Sequence, residues 1–239
     1  MKLDWELSQS SIVKWKMFYE QNKNSSFVQN RYRRNVARTE ALDLDENAIW
    51  NAFIMCQLTT AQRSGPTSRV SKFLKGSSPM LDYGTCTNAI DPENFFYDEL
   101  TNAGVRRTNI ISKNLADTLH WFNQQHMEKV KALVEQTYSQ GTRESEIELA
   151  EALSEYKGIG LKQSRNLGQY LGVTKYEIPI DSRVIKKLDE FGCGFRPSAN
   201  ALTCPQVYRV VHNLIDQISA ELSIMPCILD ACIFSSFDT

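Results

Sequence analysis

The sequence predicts an all-α fold. Apolar residues recur at mixed spacings of three and four, as at Trp5, Ile12, Trp15 and Phe18, and this periodicity is helical. No window longer than four residues alternates cleanly between apolar and polar residues, so a β-sheet is not supported. A capping acid followed by proline, Asp91-Pro92, is a strong signal for the start of a helix.

The bounds of the predicted helices follow from residues that cap or terminate helices. Asp45 is expected to cap one helix, Ser145 and Glu148 form a capping box for another, and Gly104 ends the helix that Asp91 begins. Residues 77–88 are predicted to form a loop. The predicted helices span 3–22, 45–58, 65–76, 91–104, 108–122, 145–153, two helices around a turn in 156–172, then 182–188, 205–222 and 226–234, with a basic link carrying Arg31, Arg33, Arg34 and Arg38 after the first of them.

Composition excludes several classes of protein. The chain has 239 residues, of which 42% are hydrophobic and 23% charged, so it is neither disordered nor collagen-like nor a coiled coil as a whole. Its most apolar stretch, 48–58, is interrupted by Asn51 and Gln57 and falls short of the ~20 residues that span a bilayer. The acidic N-terminus lacks the apolar core of a secretory signal, so we expect a cytoplasmic protein with no membrane partner.

The six cysteines show no metal-binding spacing. No Cys-x-x-Cys pair exists, and the three histidines do not group with the cysteines. A zinc or iron–sulfur site is therefore not expected, and the thiols are predicted to be reduced and mostly buried.

Residues 156–172 predict two amphipathic helices joined by a tight turn. Gly158 and Gly160 flank one apolar residue, Ile159, which is expected to anchor the turn to the core. The backbone amides after the turn stand at a helix N-terminus, where they suit a phosphate. Lys162 and Arg165 lie on the first turns of the second helix, although Lys162 taken alone is better explained as a solvated surface lysine.

Asp181 follows Lys162 by nineteen residues and is expected to cap the helix over 182–188. The surrounding sequence is basic. Between Lys157 and Lys187 seven cations oppose two carboxylates, which makes the segment +5 in a chain whose 27 basic and 28 acidic residues give a net charge of −1. Such a concentration suits phosphates, and a solvated basic helix face is the alternative.

Together these residues resemble the helix-hairpin-helix (HhH-GPD) DNA glycosylase superfamily, whose signature is a Gly-x-Gly hairpin, a lysine just after it and an aspartate eighteen or nineteen residues later. Residues 58–62, Leu-Thr-Thr-Ala-Gln, are similar to the Leu-Ser-Ala-Gln element of the endonuclease III branch. Residues 104–119 match the family's Gly-Leu/Val-x-x-x-Lys-Ala element in shape, without its Lys-Ala. Four elements in the family's order are more specific than any one alone.

The resemblance implies a chemistry and a set of roles. A damaged base is flipped out of the duplex, and the neutral amine of Lys162 attacks the sugar C1′ and expels the base, which leaves a Schiff base. The sugar then loses its 3′ phosphate by β-elimination, and this nicks the strand. Desolvation near Arg165 would favour the neutral amine. Asp181 would stabilise the cationic sugar, and Gln62 would fill the hole left by the base. Contacts to DNA are expected from Lys157, Gly158, Gly160, Arg165 and Arg183.

The absence of a four-cysteine cluster makes the chain more similar to the 8-oxoguanine DNA glycosylase/AP lyases, especially the small archaeal-type second family. Residues 229–234, Leu-Asp-Ala-Cys-Ile-Phe, are similar to that family's C-terminal helix, which implies that Phe234 stacks on the flipped base; a core aromatic is the alternative. The family's C-terminal lysine is absent from Phe237-Asp238-Thr239, so 8-oxoguanine is favoured while oxidised-pyrimidine excision stays open.

The resemblance also implies an organisation. We expect two helical lobes with a central cleft: an N-terminal segment (1–42) that packs with the C-terminal lobe, a central lobe (43–175) ending in the hairpin, and a C-terminal lobe (176–239). No cofactor is expected for catalysis, although backbone carbonyls of Ser154, Tyr156 and Ile159 are candidates to hold a structural monovalent cation.

The expected partner is double-stranded DNA with a damaged base or an abasic site, bound by a monomer that would be nucleoid-associated in a prokaryote. Two other classes compete with the enzyme. A non-catalytic helix-hairpin-helix DNA-binding module would make Lys162 and Asp181 incidental. A helical protein-interaction domain would leave the basic segment unexplained.

Overall fold

The computed structural model describes residues 5–62, 65 and 67–237, and these residues contain helices and no β-strand, which confirms the all-α prediction. Short π-helical turns at Tyr32–Val36 and Phe122–His126 and 3-10 turns at Pro79–Leu81 and Ala201–Thr203 punctuate the α-helices. In the described part of the chain the α-helices are α1 Gln9–Asn22, α2 Ser26–Arg31, α3 Glu46–Leu58, α4 Arg69–Leu74, α5 Tyr83–Thr87, α6 Pro92–Asn102, α7 Thr108–Trp121, α8 Met127–Gln140, α9 Arg143–Leu153, α10 Leu161–Tyr170, α11 Ser182–Glu190, α12 Pro205–Leu222 and α13 Pro226–Ser235.

Aspartate caps begin two helices where the sequence predicts them. The Asp45 carboxylate accepts from the amide of Asn47 at 2.8 Å, and that of Asp91 accepts from the amide of Asn94 at 3.1 Å, with Pro92 as the first residue of α6. These carboxylates satisfy first-turn amides that have no partner inside the helix. The predicted starts of α3 and α6 are confirmed.

Serine and threonine caps move two other boundaries. Ser8 accepts from the amide of Ser11 and begins α1; the predicted start, Leu3, lies outside the described residues. For α9, Thr142 accepts from the amide of Ser145 at 3.2 Å, so Ser145 lies in the first turn and the predicted capping box is wrong by three residues.

The predicted loop at 77–88 is wrong as well. Asp82 accepts from the amide of Thr85 at 2.7 Å and caps the short helix α5 inside this segment. The helix expected to open at 65–66 begins only at α4, where Ser68 supplies the cap, and Pro66 lies outside the described residues. Both segments lack the apolar periodicity that reveals longer helices, so the side-chain caps decide them.

The basic link is helical and fastened to the rest of the molecule. It contains α2 and a π-helical turn, and the buried amide nitrogen of Asn35 donates to the carbonyl oxygens of Gln169 at 3.1 Å and Thr174 at 2.8 Å. These bonds tie the N-terminal segment to the end of α10.

The buried apolar side chains of the described residues form two separate cores. The first is built from α3 to α10 and ends at Val173. The second joins Trp15, Phe18 and Val28 of the N-terminal helices to an extended segment after Ile178 and to α11, α12 and α13. The helix that carries Lys162 therefore packs mainly in the first core, and the helix that Asp181 caps packs in the second.

All six cysteines are free thiols, and four of them are buried, as expected. No single helix among the described residues is long and apolar enough to cross a membrane. The pair α12 and α13 passes that test by length and composition only, with a 96° bend between the two helices.

Candidate active site

The hairpin joins α9 to α10 and is anchored by two side chains of its turn. Tyr156 and Ile159 are buried, and the amide of Ile159 donates to the carbonyl oxygen of Tyr156 at 3.0 Å. The Tyr156 ring meets the ring of Phe53 edge-on with centroids 5.0 Å apart. Burial of these two side chains fixes the turn against the first core and presents its other residues to solvent.

Gly158 has a backbone conformation and surroundings that favour glycine, and its predicted contact with a phosphate stays a prediction. Its φ is +77°, and a β-carbon there would lie 2.4 Å from the amide nitrogen of Asn114 and 2.4 Å from the side-chain oxygen of Gln57. Gln57 also donates to the carbonyl oxygen of Lys157 at 2.6 Å. Side chains of the protein thus fill the space that a β-carbon of Gly158 would need, while Lys157 and Gly158 are both exposed.

Gly160 is the open position of the hairpin. It has an ordinary φ of −95°, it is exposed, and a β-carbon would meet nothing within 4 Å. As N-cap of α10 it offers no side-chain acceptor, so the first-turn amides of that helix face outward without a side-chain cap. Uncapped amides at the positive end of a helix dipole are well suited to bind a phosphate.

Lys162 is half-buried in the first turn of α10. Burial raises the pKa of the neighbouring Cys56 thiol, and the charge of Lys162 opposes that rise. The next residue, Gln163, donates to the carbonyl oxygen of Cys56 and to the hydroxyl of Thr60, each at 2.6 Å. The start of α10 is thereby fixed to the end of α3 and to the turn that follows it.

That turn holds Gln62 in a defined place. Ala61 has a φ of +55°, and the Gln62 side chain donates to the carbonyl oxygen of Leu58 at 2.5 Å and accepts from the amide of Arg106 at 3.2 Å. Arg107, also with positive φ, donates to the turn at 3.3 Å. The structure thus brings together the turn at 58–62 and the turn before α7, two of the elements that carry the family resemblance.

Asp181 caps α11 as predicted, and both of its carboxylate oxygens are occupied. One oxygen accepts from the amides of Arg183 at 2.8 Å and Val184 at 3.2 Å. The other accepts from the Arg183 guanidinium, from Nε at 2.9 Å and from Nη2 at 2.7 Å. The carboxylate is therefore held in a fixed orientation, with one oxygen paired to a side chain that can exchange partners.

Two stacked aromatic rings lie beside the ion pair of Asp181 and Arg183. The Arg183 guanidinium carbon lies 4.2 Å from the ring centroid of Phe234, and that ring is stacked on the ring of Phe27 with centroids 4.7 Å apart and planes inclined by 20°. Phe234 is half-buried at the end of α13 rather than in the core. The structure places Phe234 against Arg183, which is bonded to Asp181, the residue that the resemblance makes catalytic.

Asp230 is a functional candidate whose role the sequence does not reveal. It is 8% exposed on α13, one helical turn before Phe234. Burial raises the pKa of its carboxyl group to about 6; the Asp181 carboxylate adds to the rise, and the Arg31 guanidinium opposes it. In the sequence it lies in the 229–234 stretch that is similar to the family's C-terminal helix, four residues before Phe234 and therefore on the same helix face.

Arg165 is buried, which corrects its predicted role as a contact to DNA. It is 5% exposed, its Nε donates to Glu177 at 2.7 Å, and its Nη1 donates to the carbonyl oxygen of Leu161 at 2.9 Å. The guanidinium also lies 4.6 Å from the ring centroid of Tyr208. A side chain held in this way is out of reach of phosphates, and its charge is compensated by Glu177.

The basic segment is correspondingly weaker as a surface patch than its +5 charge suggests. Arg165, Arg183 and Lys187 are each bonded to a carboxylate, those of Glu177, Asp181 and Glu190. The exposed Lys157 on the hairpin keeps its predicted place on the surface.

A buried network fixes the extended segment that leads to Asp181. The Tyr208 hydroxyl accepts from the amide of Ile180 and donates to the carbonyl oxygen of Ile178, both at 2.8 Å. Burial by itself raises the pKa of Glu177, but the charges of His212, Arg165 and Arg209 outweigh it and lower the pKa to about 2. Glu177 therefore stays ionised and joins α10 to α12, which sets the helix of Lys162 against the segment of Asp181.

The three carbonyls proposed for a monovalent cation, those of Ser154, Tyr156 and Ile159, lie in the hairpin turn; that of Tyr156 accepts from the Ile159 amide. Among the described residues no group of three or more His, Cys, Asp or Glu is arranged to hold a metal ion. A cation at the hairpin stays a prediction.

Comparison with known proteins assigns the fold. No family model and no curated protein matches the sequence. Among solved structures, the 8-oxoguanine glycosylase/lyase of Methanocaldococcus jannaschii in complex with a 15mer DNA containing 8-oxoguanine matches with a TM-score of 0.69 and 15% identity, over 93% of this chain and 96% of that chain. Tm1821, the 8-oxoguanine DNA glycosylase of Thermotoga maritima, matches with a TM-score of 0.69 and 15% identity, over 94% of each chain. The chain has the all-α fold of these glycosylases over nearly its whole length.

Proposed function

We propose that the protein is a base-excision DNA repair enzyme, a glycosylase and AP lyase that acts on 8-oxoguanine in duplex DNA. One observation carries the proposal: the hairpin places Lys162 beside uncapped helix amides, and the buried network ties that helix to the segment bearing Asp181, in a fold shared with 8-oxoguanine glycosylases. A binding module would need the hairpin and none of the remaining arrangement.

In this proposal the hairpin binds the backbone of the damaged strand. The first-turn amides of α10 donate to one phosphate, Gly160 leaves room for its approach, and Lys157 adds charge. These contacts carry no sequence information and position the duplex over Lys162.

The chemistry then falls to Lys162 and Asp181. The Lys162 amine forms a bond to the sugar C1′ while the C1′–base bond breaks and its electron pair leaves with the base, which takes up a proton. Opening of the sugar ring gives the Schiff base, and loss of a proton from C2′ expels the 3′ phosphate. The Asp181 carboxylate stabilises the positive charge that develops on the sugar.

In the DNA-free protein, Arg183 is the ion-pair partner of the Asp181 carboxylate. Its guanidinium is bonded to Asp181 and 28% exposed, so a phosphate of the bound strand can compete for it. Transfer of Arg183 to a phosphate leaves one oxygen of Asp181 to face the sugar, and this gives Arg183 its predicted contact with DNA.

The test of this function is excision from a panel of duplexes containing 8-oxoguanine, 5-hydroxyuracil, an abasic site or no lesion. We expect base release from the 8-oxoguanine duplex and strand nicking at the abasic site. Preferential release of 5-hydroxyuracil would reassign the protein to oxidised pyrimidines. Binding with neither release nor nicking would leave a non-catalytic module.

Substitution of the two hairpin glycines separates DNA binding from folding. Gly160→Ala should weaken binding to damaged and undamaged duplex alike by roughly 10-fold, since one charge-assisted phosphate contact is lost. Its melting temperature should change little, because the new β-carbon meets nothing within 4 Å. Gly158→Ala should instead destabilise the protein by about 1–3 kcal/mol or more, from positive φ and from the clash with Gln57. Denaturation and binding curves of both variants check this, and equal effects on binding and stability would reject the assignment.

Gln62→Ala should slow excision from duplex by roughly 10-fold, about 1.4 kcal/mol. The proposed role of Gln62 is to fill the stack after the base has left, and this matters only where a complementary strand forms a stack. Single-turnover excision from the same oligonucleotide without its complement is the matched control and should barely change. Equal slowing on both substrates would make Gln62 a structural link to Arg106.

A further inference from the structure

Phe27 occupies an unusual place for a large aromatic side chain. It lies near the start of the six-residue helix α2, is 37% exposed, and stacks on Phe234 with centroids 4.7 Å apart. On its own helix, the Arg31 guanidinium carbon lies 5.5 Å from its ring centroid. One face of the Phe27 ring is thus stacked on Phe234, while part of the side chain is exposed to solvent.

If Phe234 stacks on an extruded base, one face of its ring is already covered by Phe27. Stacked aromatic pairs in proteins have centroids ~4.5–7 Å apart, so two rings separated by 4.7 Å leave no room for a third ring between them. A base can reach this face only if the two phenylalanine rings separate.

Phe27 is the ring that covers this face of Phe234. It is partly solvated and belongs to the short helix α2, whose start is capped by Ser25. The Arg183 guanidinium carbon also lies 4.2 Å from the Phe234 ring centroid, but its hydrogen bonds go to Asp181.

We propose that Phe27 is a specificity-determining residue that holds the place of the extruded base on Phe234 and competes with it. This inference rests on the proposed function and on Phe234 as the base-stacking residue. A flipped base must displace the Phe27 ring before its sugar lies beside Lys162 and Asp181, so the enzyme retains only a base that stacks on Phe234 better than Phe27 does.

The test compares Phe27→Ala with the wild-type protein in single-turnover excision of 8-oxoguanine paired with cytosine. Removal of the competitor should raise the rate by roughly 2- to 10-fold, the range expected for one aromatic pair. Nicking of an abasic duplex should stay at the wild-type rate, because no base has to enter. Tyr32→Ala removes a 49% exposed ring from the same segment and should leave both rates unchanged.

Two further variants guard against loss of structure. Phe27→Leu keeps an apolar side chain between α2 and α13 without the flat ring and should also raise the excision rate. In a Phe234→Leu background, Phe27→Ala should give no gain, since the competed face is gone.

An unchanged or slower excision by both Phe27 variants overturns the proposal; slower excision with normal abasic nicking would make Phe27 a stacking partner of the base. Failure of the proposed function is separate and visible beforehand. In that case the wild-type protein neither releases 8-oxoguanine nor nicks the abasic duplex.

Discussion

Lys162→Gln should abolish base release and strand nicking while binding to duplex DNA stays nearly intact. The expected loss is complete for the lyase reaction, because no Schiff base forms without the amine, whereas the proposed phosphate contacts use backbone amides of the same helix turn. Single-turnover assays on 8-oxoguanine and abasic duplexes, with affinity measured on undamaged duplex, check both parts.

The matched control is Lys157→Gln, which removes an equal charge from the exposed part of the same hairpin. It should retain the chemical rate at saturating enzyme. Its affinity should fall at low salt, and the slope of log affinity against log salt should decrease by about 1. Nicking by the Lys162→Gln variant at the wild-type rate would contradict the assignment of Lys162 as the nucleophile.

Asp181→Asn should lower the single-turnover excision rate by about 100-fold or more. The amide oxygen of asparagine can still accept from the amides of residues 183 and 184, so α11 keeps its cap. The negative charge is lost, and the new amide group faces the Arg183 guanidinium as one donor facing another. A melting temperature near that of the wild type would assign the loss to chemistry.

Asp45→Asn is the control for this substitution, because Asp45 caps α3 in the same manner away from Lys162 and Asp181. It should keep the wild-type excision rate. An Asp181→Asn variant as fast as the wild type would reduce Asp181 to a structural cap.

The features predicted correctly from the sequence are local ones. Asp45, Asp91 and Asp181 cap helices by accepting from amides two or three residues away. Both partners of each hydrogen bond are close in sequence, so the residue types in a short stretch suffice to predict it. The two final helices follow from proline at the first position and long apolar periodicity. Short helices such as α5 escape detection because a single turn has no periodicity to recognise.

The surroundings of a site residue depend on partners that are distant in sequence. Arg165 is predicted to contact a phosphate, but Glu177 and Tyr208 cover it, and Gln57 and Asn114 fill the space that a β-carbon of Gly158 would need. The stack of Phe27 on Phe234 joins residues from opposite ends of the chain, and no spacing rule relates them. Tertiary contacts of this kind decide which members of a basic or glycine-rich motif remain available to a ligand.

A Schiff base on Lys162 can be trapped by reduction with borohydride during reaction with an abasic duplex and located by mass spectrometry of the cross-linked peptide. We expect one covalent adduct per protein, located on Lys162 in the peptide that follows the hairpin. The absence of any adduct, or an adduct on another lysine such as Lys157 while Lys162 is unmodified, would contradict this assignment.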